Sequence, residues 1–327
     1  MAITDSLVGS VSSWCRWMFG SLFFPVMIPW FLYRIIFSCW NNVTRQHAKL
    51  ENKVVLITGA SSGLGEVLAA EFYKVGCKVI LASRRLDELE KVKSNLLNLR
   101  GNDVLPEHQP VILQLDLADV KSLPDKAKEA LNFYGKVDIL INNAGISYRG
   151  DILSTAVEVD IKVMIVNYFG QIALTKAILP QMMKNKCGHV VAIGSIQGKV
   201  AIPHRSAYSA SKHALQAFFD SLRAELVDTN IKVTVINPGY IKTNLSLNAM
   251  NGDGSTYGVM DDTTASGMDP TFAAKQILQA IVLEKNEIYL SGWIPTLAIY
   301  LRLLCPSLYF ALMQKRAKKL KNNRKLK

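Results

Sequence analysis

A tyrosine and a lysine stand four residues apart in the run Tyr208-Ser209-Ala210-Ser211-Lys212. On a helix this spacing places both side chains on one face. A phenol with a pKa of about 10 exchanges protons poorly near pH 7, and a nearby ammonium favours phenolate and lowers that pKa. The pair is therefore a candidate proton donor and acceptor. The same spacing is common on ordinary helices, so the pair alone does not define a site.

A serine lies 13 residues upstream of this tyrosine, in Gly194-Ser195-Ile196. It follows a predicted strand, where its hydroxyl is available to a ligand. A hydroxyl in this position can donate to a substrate carbonyl oxygen on which negative charge develops. Ser195 is therefore the candidate group that polarises a carbonyl.

A glycine-rich run, Thr58-Gly59-Ala60-Ser61-Ser62-Gly63-Leu64-Gly65, follows one predicted strand and opens a helix. Glycines permit a tight turn and let main-chain amides approach a pyrophosphate at the positive end of the helix. The spacing is G-x-x-x-G-x-G and differs from the common G-x-G-x-x-G. A glycine triplet alone is a weak signal, but this one lies between a strand and a helix, as a dinucleotide loop does.

The end of the second predicted strand indicates which dinucleotide binds. An NAD site places an acid there to accept from the ribose 2′-hydroxyl. In this chain the strand ends at Ser83, 18 residues after Gly65, and the sequence around it is Ala82-Ser83-Arg84-Arg85, without an acid. An arginine fork suits a 2′-phosphate, which predicts NADP(H). The alternative is a solvated helix start, where two arginines are unfavourable unless an anion neutralises them. Asp116, after the third strand, is a candidate for the adenine amine or for a helix N-cap, and both stay open.

Strand and helix signals alternate from Lys53 onwards. Short β-branched runs typical of buried parallel strands cover Val54–Ile57, Val79–Ala82, Val111–Leu115, Ile139–Ile141, Val190–Ile193, Val233–Ile236 and Glu287–Leu290. Helical patterns between them cover Glu66–Val75, Leu86–Asn98, Ala156–Lys184 and Ser209–Val227. This alternation predicts an α/β fold, a doubly wound, Rossmann-like parallel sheet with helices on both faces.

These motifs together resemble the classical short-chain dehydrogenase/reductase family over about residues 50–294. The motifs that carry the resemblance are Thr58-Gly59-x-x-x-Gly63-x-Gly65, Asn142-Asn143-Ala144-Gly145, Asn167, Ser195, Tyr208-x-x-x-Lys212 and Pro238-Gly239, in the order of the family. The resemblance implies hydride transfer from a nicotinamide cofactor, with the protein supplying position and electrostatics.

The resemblance also implies roles for individual side chains. Tyr208 would protonate the carbonyl oxygen, and Ser195 would orient it. Lys212 would lower the pKa of the phenol and bind the nicotinamide ribose, while Asn167 would hold a water of the proton relay. The complete set of cofactor-binding candidates is Thr58, Gly59, Ser61, Ser62, Gly63, Leu64, Gly65, Ser83, Arg84, Arg85, Asp116, Leu117, Asn143, Ala144, Gly145, Tyr208, Lys212, Pro238, Gly239, Ile241 and Thr243.

An uncharged stretch of 17 residues, Trp17–Tyr33, lies between Arg16 and Arg34. As a helix it would be about 26 Å long, near the lower limit for crossing a bilayer core. Pro25 and Pro29 favour a kink, so the alternative is a hairpin or a helix lying in one leaflet. We predict a retained membrane anchor before the dehydrogenase domain. The predicted divisions are a flank (1–16), an anchor (17–40), a linker (41–52), the domain (53–294), an apolar C-terminal segment (295–314) and a basic tail (315–327).

The net charge of +12 is concentrated at the C-terminus, because residues 315–327 carry eight basic side chains and no acid. A nucleic-acid-binding face across the domain is therefore not expected. The tail adjoins an apolar, aromatic segment, and this favours contact with anionic lipid; a solvated, disordered tail is the alternative. The five cysteines form no C-x-x-C pair, so neither a disulfide scaffold nor a metal site is expected.

The residues 240–269 are rich in Asn, Gly, Asp, Ser and Thr and are predicted to form a mobile loop over the substrate. Its candidates for an apolar pocket are Tyr240, Leu245, Leu247, Met250, Tyr257 and Met260. The segment 295–314 would dock on the membrane, form a subunit contact or complete a substrate channel.

The expected activity is NADP(H)-dependent interconversion of a carbonyl and an alcohol on a lipophilic substrate. We expect a single-pass protein of the endoplasmic reticulum membrane, with the peroxisomal membrane as the alternative and a homodimer left open. Alternative functions are reduction of acyl- or alkyl-dihydroxyacetone phosphate in ether-lipid synthesis, suggested by a membrane-bound branch of the family, a steroid or retinoid dehydrogenase, and a cofactor-binding regulatory protein without turnover.

Overall fold

The structure is a computed structural model that describes residues 29–30, 50–100 and 108–325. Seven strands form one parallel sheet in the order β3-β2-β1-β4-β6-β7-β9. Their bounds are β1 Val54–Thr58, β2 Lys78–Ser83, β3 Val111–Gln114, β4 Ile139–Asn142, β6 Gly188–Ile193, β7 Ile231–Pro238 and β9 Glu287–Leu290. The predicted doubly wound sheet is confirmed, and each predicted strand overlaps an observed one.

Two short strands lie apart from this sheet. β5 (Tyr148–Arg149) pairs in parallel with β8 (Met250–Asn251), joining the chain after β4 to the segment after β7. The predicted mobile loop is therefore held at its middle by a strand pair. Ile241 and Met268 form an isolated bridge near its two ends.

Helices cover both faces of the sheet. They are α1 Gly63–Lys74, α2 Leu86–Arg100, α3 Leu123–Tyr134, α4 Val157–Met164, α5 Gly170–Lys184, α6 Ser206–Glu225, α7 Asp262–Ala265, α8 Pro270–Val282, α9 Trp293–Leu304 and α10 Pro306–Lys325. Alternate residues of β1 point to opposite faces: Val55 and Ile57 pack with α1, α2 and α8, and Val54 and Leu56 pack with α3, α5 and α6. Both faces are therefore buried, as the apolar strands require.

The strand order reverses between β1 and β4, which are neighbours in space although two strands separate them in sequence. A crevice opens at the carboxyl ends of strands at such a switch point. The glycine-rich turn after β1 and the Asn-Asn-Ala-Gly turn after β4 both lie there.

The sequence predicted one helix over Ala156–Lys184, and the structure divides it. Residues Ile165–Phe169 form a π-helical turn between α4 and α5. Such turns widen a helix by one residue and often occur at functional sites. Asn167 lies in the middle of this turn.

Among the residues that the structure describes, one helical stretch, Val157–Lys184, has the length and hydropathy of a membrane span. It is a core element, however, because 44% of its most apolar window is buried and Leu174 and Ile178 pack against the sheet. The predicted flank and anchor (1–40) lie outside the described residues except for Pro29 and Trp30, as does the linker before Leu50.

The C-terminal region forms two helices. Pro306 begins α10, where a proline is favourable because the first helical amide needs no partner within the helix. Pro295 lies in the first turn of α9 and does not interrupt it. α10 continues to Lys325, so the predicted boundary at 314/315 is not a structural one; the Ala, Leu, Lys and Arg residues of the tail favour helix.

Candidate functional site

The glycine-rich turn after β1 depends on the absence of side chains. Gly59 and Gly63 have φ values of +68° and +61°, which are left-handed conformations that side chains disfavour. A Cβ on Gly65 would lie 2.2 Å from the Gly59 carbonyl oxygen. The turn delivers the chain into α1, whose N-cap Ser62 makes no side-chain cap bond. The first main-chain amides of α1 are therefore available to an anion.

Thr58 joins the two turns of the crevice. Its Oγ1 accepts hydrogen bonds from the amides of Asn143 (3.0 Å) and Ala144 (3.1 Å). Asn143 returns a bond from Nδ2 to the Thr58 carbonyl oxygen at 2.8 Å. Thr58 is fully buried and does not line the cavity. Its place in the structure is behind the site, where it aligns β1 with β4.

A cavity of about 480 Å³ follows the crevice. Of the sequence-predicted site residues, it is lined by Gly59, Ser61, Ser62, Gly63, Leu64, Gly65, Ser83, Arg84, Arg85, Asp116, Leu117, Asn143, Ala144, Gly145, Ser195, Tyr208, Lys212, Pro238, Gly239, Ile241 and Thr243. Thr58 and Asn167 are the two predicted residues that it does not include. The structure thus brings together groups separated by up to 184 positions, from Gly59 to Thr243, over one continuous surface.

The predicted arginine fork lies at one end of this cavity. Nη2 of Arg85 donates to the hydroxyls of Ser61 (3.0 Å) and Ser62 (2.9 Å), and Ser83 donates to Ser61 at 2.8 Å. Arg84 and Arg85 are exposed to the cavity and to solvent. This end therefore holds cationic and hydroxyl donors, which suit a phosphate group.

Asp116 is not the N-cap of the helix that follows β3, because Ser122 holds that position; its place at the cavity keeps the adenine role as a prediction. Asp116 lines the cavity, and its Oδ1 accepts a hydrogen bond from the amide of Ala118 at 2.9 Å, capping the turn after β3. One carboxylate oxygen thus orders the turn, and the carboxylate as a whole still faces the cavity.

The segment after β7 forms the other side of the cavity. The amide of Gly239 donates to the Leu290 carbonyl oxygen at 2.8 Å, which ties the segment to β9. The Thr243 side chain lies 3.3 Å from the position that a Cβ on Gly63 would take. The loop therefore reaches across to the glycine-rich turn.

Ser195 is held between β6 and β7. Its amide donates to Oδ1 of Asn237 at 3.0 Å, and its Oγ accepts from the amide of Gln197 at 3.1 Å. The Ser195 hydroxyl also donates to the Pro238 carbonyl oxygen at 3.5 Å and lies within hydrogen-bonding reach of Tyr208.

Tyr208 and Lys212 are buried on α6 and face the same cavity. Nζ of Lys212 donates to the Ile193 carbonyl oxygen at 2.7 Å and lies 5.8 Å from the centroid of the Tyr208 ring. Burial lowers the pKa of Lys212 to about 8, so its ammonium still carries its charge at neutral pH. Burial raises the pKa of the Tyr208 phenol; the hydrogen bond to Ser195 and the nearby arginine charges oppose this rise.

Asn167 lies behind the reacting groups. Its Oδ1 accepts from the Ile146 amide at 2.8 Å, and its Nδ2 donates to the Ile146 carbonyl oxygen at 2.9 Å and to Ser211 at 3.0 Å. Ser211 in turn donates to the Tyr208 carbonyl oxygen at 2.8 Å. Both amide hydrogens of Asn167 are therefore used within the protein, and one lone pair on Oδ1 stays available to the predicted water. The π-helical turn is what aims this side chain at Ile146.

A second cavity of about 290 Å³ adjoins the first. The two share Ser195, Tyr208, Gly239, Ile241 and Leu245 as lining residues. Half of its remaining lining residues come from α9 and α10, and all of these except Arg316 are apolar or aromatic, including Ile294, Leu297, Leu301, Leu312 and Met313. Of the predicted pocket residues, Tyr240 and Leu245 line it; Leu247, Met250, Tyr257 and Met260 do not. Residues of α9 and α10 complete the wall of this cavity.

Sequence reasoning missed several lining residues. Ser147 and Arg149 reach the second cavity from β5, and Gln197 reaches it from a short 3₁₀ turn. No local motif marks these positions, since a two-residue strand gives no periodic signal. Within residues 50–100 and 108–325, no group of three or more His, Cys, Asp or Glu side chains is placed to hold a metal ion.

Comparisons with known proteins agree with this geometry. The short chain dehydrogenase family matches residues 53–253. A protein of Xenopus laevis named dehydrogenase/reductase SDR family member 7B is 55% identical over 275 residues, 84% of this chain and 85% of that protein.

Solved structures show the same fold. A short chain dehydrogenase/reductase of Burkholderia phymatum in complex with NAD is similar at a TM-score of 0.69 and 22% identity, covering 79% of this chain and 95% of its own. A short chain dehydrogenase of Burkholderia cenocepacia in complex with NADP is similar at a TM-score of 0.65 and 24% identity, covering 81% and 98%. The family match, the 55% identity and the parallel sheet together establish that this chain belongs to the short-chain dehydrogenase/reductase family of oxidoreductases.

Proposed function

We propose that this protein is a membrane-associated, NADP(H)-dependent oxidoreductase that interconverts a carbonyl and an alcohol on a lipophilic substrate. The observation that carries the proposal is the position of Ser195 and Tyr208, which line both the glycine-rich cavity and the apolar one. A proton donor on this shared wall reaches a ligand in either cavity. The bound nicotinamide would supply or accept the hydride.

Side chains of this protein would orient the groups between which the proton moves. The Ser195 hydroxyl, oriented by Asn237 and Gln197, would donate to the substrate oxygen and hold it beside the Tyr208 phenol. Tyr208 would give its proton to that oxygen in reduction and take it back in oxidation. Lys212 keeps a positive charge near the phenol, and the Asn167–Ser211 pair holds the main chain at Tyr208.

The choice of NADP(H) is supported by the end of the first cavity. Ser83, Arg84 and Arg85 line it there, and a carboxylate that would repel a 2′-phosphate is absent from this three-residue stretch after β2. The hydroxyl pair at Ser61 and Ser62 already binds the Arg85 guanidinium. The Arg85 guanidinium is therefore ordered before a ligand enters, which reduces the entropy cost of binding.

Membrane association is supported by the outer surface of α9 and α10. Trp293, Leu303 and Leu304 are 74 to 77% exposed, on helices whose inner residues line the apolar cavity. Contiguous exposed apolar side chains mark a contact surface. The basic residues of 315–327 follow it in the sequence, and Lys and Arg near an apolar helix are attracted to anionic lipid. A substrate dissolved in the bilayer would then enter the second cavity between these helices.

The direct test uses the full chain in lipid–detergent micelles, incubated with NADPH and a total lipid extract. We expect loss of NADPH absorbance and, by mass spectrometry, lipid products that have gained two hydrogen atoms. Tyr208→Phe is the matched control and should give neither. Bound NADPH without consumption across ketone and aldehyde lipids would support the regulatory alternative and reject the enzymatic one.

A further inference from the structure

Two arginines and one aspartate form a buried cluster that none of the roles above uses. Oδ2 of Asp261 accepts from Nε and Nη2 of Arg149 at 2.8 and 2.6 Å, and from Nη2 of Arg205 at 3.1 Å. The exposed fractions of the Arg149, Arg205 and Asp261 side chains are 5, 12 and 17%. Two positive charges against one negative charge leave this cluster with a formal charge of +1.

The three side chains come from three different elements. Arg149 lies in β5, Arg205 immediately precedes α6, and Asp261 immediately precedes α7 in the segment over the second cavity. Nη1 of Arg149 also donates to Ser147 (2.6 Å) and to the Tyr148 carbonyl oxygen (2.9 Å). The guanidinium of Arg149 is therefore fixed in direction as well as in place.

The second arginine is less completely satisfied. Nη1 of Arg205 donates to the His204 carbonyl oxygen at 3.1 Å, but its buried Nε has no hydrogen-bond partner among the described residues. A positive charge at the start of a helix is also unfavourable with the helix dipole. Arg205 is thus unfavourable for the stability of the fold at this position, so a contribution to folding does not explain why an arginine stands there.

The cluster faces the Tyr208 phenol. Arg149 and Tyr208 line the same cavity, β5 packs against α6, and Arg205 precedes Tyr208 by three residues. The charges of Arg149 and Arg205 lower the pKa of the phenol, against the larger effect of burial. Among the described residues, the hydrogen bond to Ser195 also lowers the pKa and Tyr240 raises it; Lys212 lies over the ring, and Arg316 lines the same cavity.

The Arg205 guanidinium holds its charge to a higher pH than the Lys212 ammonium does. Burial lowers the pKa of Lys212 to about 8, whereas the pKa of Arg205, lowered by burial and by Arg149, is about 10. Above neutral pH the ammonium therefore loses its proton first, and the charge of Arg205 remains beside the phenol.

We propose that Arg149 and Arg205, clamped by Asp261, are positioning residues that stabilise negative charge on the Tyr208 oxygen during turnover. This inference rests on the proposed oxidoreductase function. Asp261 sets the strength of the effect, because its carboxylate cancels one of the two positive charges. The cluster thus acts on the phenol from the second cavity, which Arg149 lines, whereas Lys212 lines the first.

The test uses two substitutions that change the net charge of the cluster in opposite directions. Arg205→Gln removes a positive charge and should move the rising limb of the kcat–pH profile for alcohol oxidation to higher pH by about one unit. Asp261→Asn removes the cancelling charge and should move it to lower pH by a similar amount. Arg205→Lys keeps the charge and should restore the wild-type profile.

Matched controls come from the same helix. Arg223 pairs with Asp220 at 2.9 Å on α6, away from both cavities. Arg223→Gln and Asp220→Asn should leave the profile where it is, whatever they do to the melting temperature. Shifts of Arg205→Gln and Asp261→Asn in the same direction, or no shift in either, would overturn the inference.

A second readout does not require turnover. The ultraviolet difference spectrum between each variant and the same variant carrying Tyr208→Phe reports ionisation of this one phenol as pH rises. We expect the same order of midpoints, with Asp261→Asn lowest and Arg205→Gln highest. Ordered midpoints without any carbonyl reduction would reject the proposed function and keep the inference; turnover with equal midpoints would reject the inference alone.

Discussion

The ammonium of Lys212 lies over the ring of Tyr208, 5.8 Å from its centroid, and gives its hydrogen bond to the main-chain oxygen of Ile193. Its influence on the phenol is therefore electrostatic and is exerted across the ring. Ser195, Arg149 and Arg205 also act on the phenol, and each lowers its pKa. The acid–base role that we propose for Tyr208 would thus depend on side chains from several separate elements.

Replacing Tyr208 by phenylalanine should abolish turnover, with a loss of at least about 100-fold. The ring would keep its packing against Tyr148 and Val163, so the fold and the cofactor cavity should be preserved. Steady-state assays give the loss, and fluorescence titration with NADPH should give an affinity within about twofold of wild type. Full activity in this variant would refute the assignment of the proton donor.

Replacing Arg84 or Arg85 by alanine should weaken NADPH more than NADH. A hydrogen bond to a charged group contributes about 1.5 to 3 kcal/mol, so each change should raise the Kd for NADPH about tenfold or more. The Kd for NADH should change little at Arg84, and somewhat more at Arg85, which also orders Ser61 and Ser62. An unchanged ratio of the two Kd values would contradict the proposed 2′-phosphate site.

Replacing Gly65 by alanine should destabilise the protein, because the new methyl group would meet the Gly59 carbonyl oxygen at 2.2 Å. Overpacking of this kind costs about 1 to 3 kcal/mol. The matched control is Gly292→Ala, where no atom lies within 4 Å and the φ of −63° suits any residue. Urea unfolding should show a lower free energy of unfolding for Gly65→Ala and no loss for Gly292→Ala. Equal free energies of unfolding in the two variants would show that the turn has room to relax.

Acid should destabilise the domain through His189. This side chain is buried, its Nε2 bonds to Thr234 at 2.8 Å, and burial lowers its pKa to about 4 from an ordinary value of 6.5. Between these values the unfolded chain binds a proton that the folded chain does not, so stability falls as pH falls from 6.5 towards 4.

The contribution is about 3 kcal/mol at most, from the size of the shift. Urea unfolding at pH 7 and pH 5 should show about 2 kcal/mol of this contribution, because pH 5 lies only part of the way from 6.5 to 4. His189→Asn should reduce the difference between the two stabilities. A variant with the full wild-type difference would assign the acid sensitivity to other groups.

Anionic membranes should bind the C-terminal helix. Replacing Lys318, Lys319 and Lys321 by glutamine should weaken the preference of the full chain for phosphatidylserine over phosphatidylcholine vesicles. At about 1 kcal/mol per charge the expected loss is about 100-fold at low salt. Glutamine at Lys126, Lys128 and Lys184 is the matched control, and sedimentation with vesicles is the measurement. Equal losses in both triple variants would indicate nonspecific attraction.

Local signals predicted the sheet and most of the cofactor cavity. The strands are continuous apolar runs, and β9 has the predicted bounds Glu287–Leu290. The glycines and the Ser83-Arg84-Arg85 stretch follow strands whose carboxyl ends meet at one edge. Residues that directly follow different strands of a parallel sheet therefore lie close together in space, even when they are far apart in the sequence.

Other features depend on contacts between distant segments. Thr58 belongs to the motif but lies behind the cavity, because its hydroxyl is used by the Asn143 and Ala144 amides. The π-helical turn at Asn167 has no periodic signature. Arg149 and Asp261 are 112 positions apart, and neither stands in a motif. Pattern reasoning does not pair such residues, since nothing in either neighbourhood specifies the other.

The strand pair between Tyr148–Arg149 and Met250–Asn251 limits how a hydrophobic molecule arrives. With Asp261 bound to two guanidinium groups as well, the covering segment is pinned at two points and does not swing aside as a flap. On the wall built by α9 and α10, the buried Tyr309 of α10 donates to the Ala201 carbonyl oxygen, whereas α9 has no buried residue. If the proposed membrane association holds, α9 is the side of the second cavity at which a reactant would arrive from the bilayer.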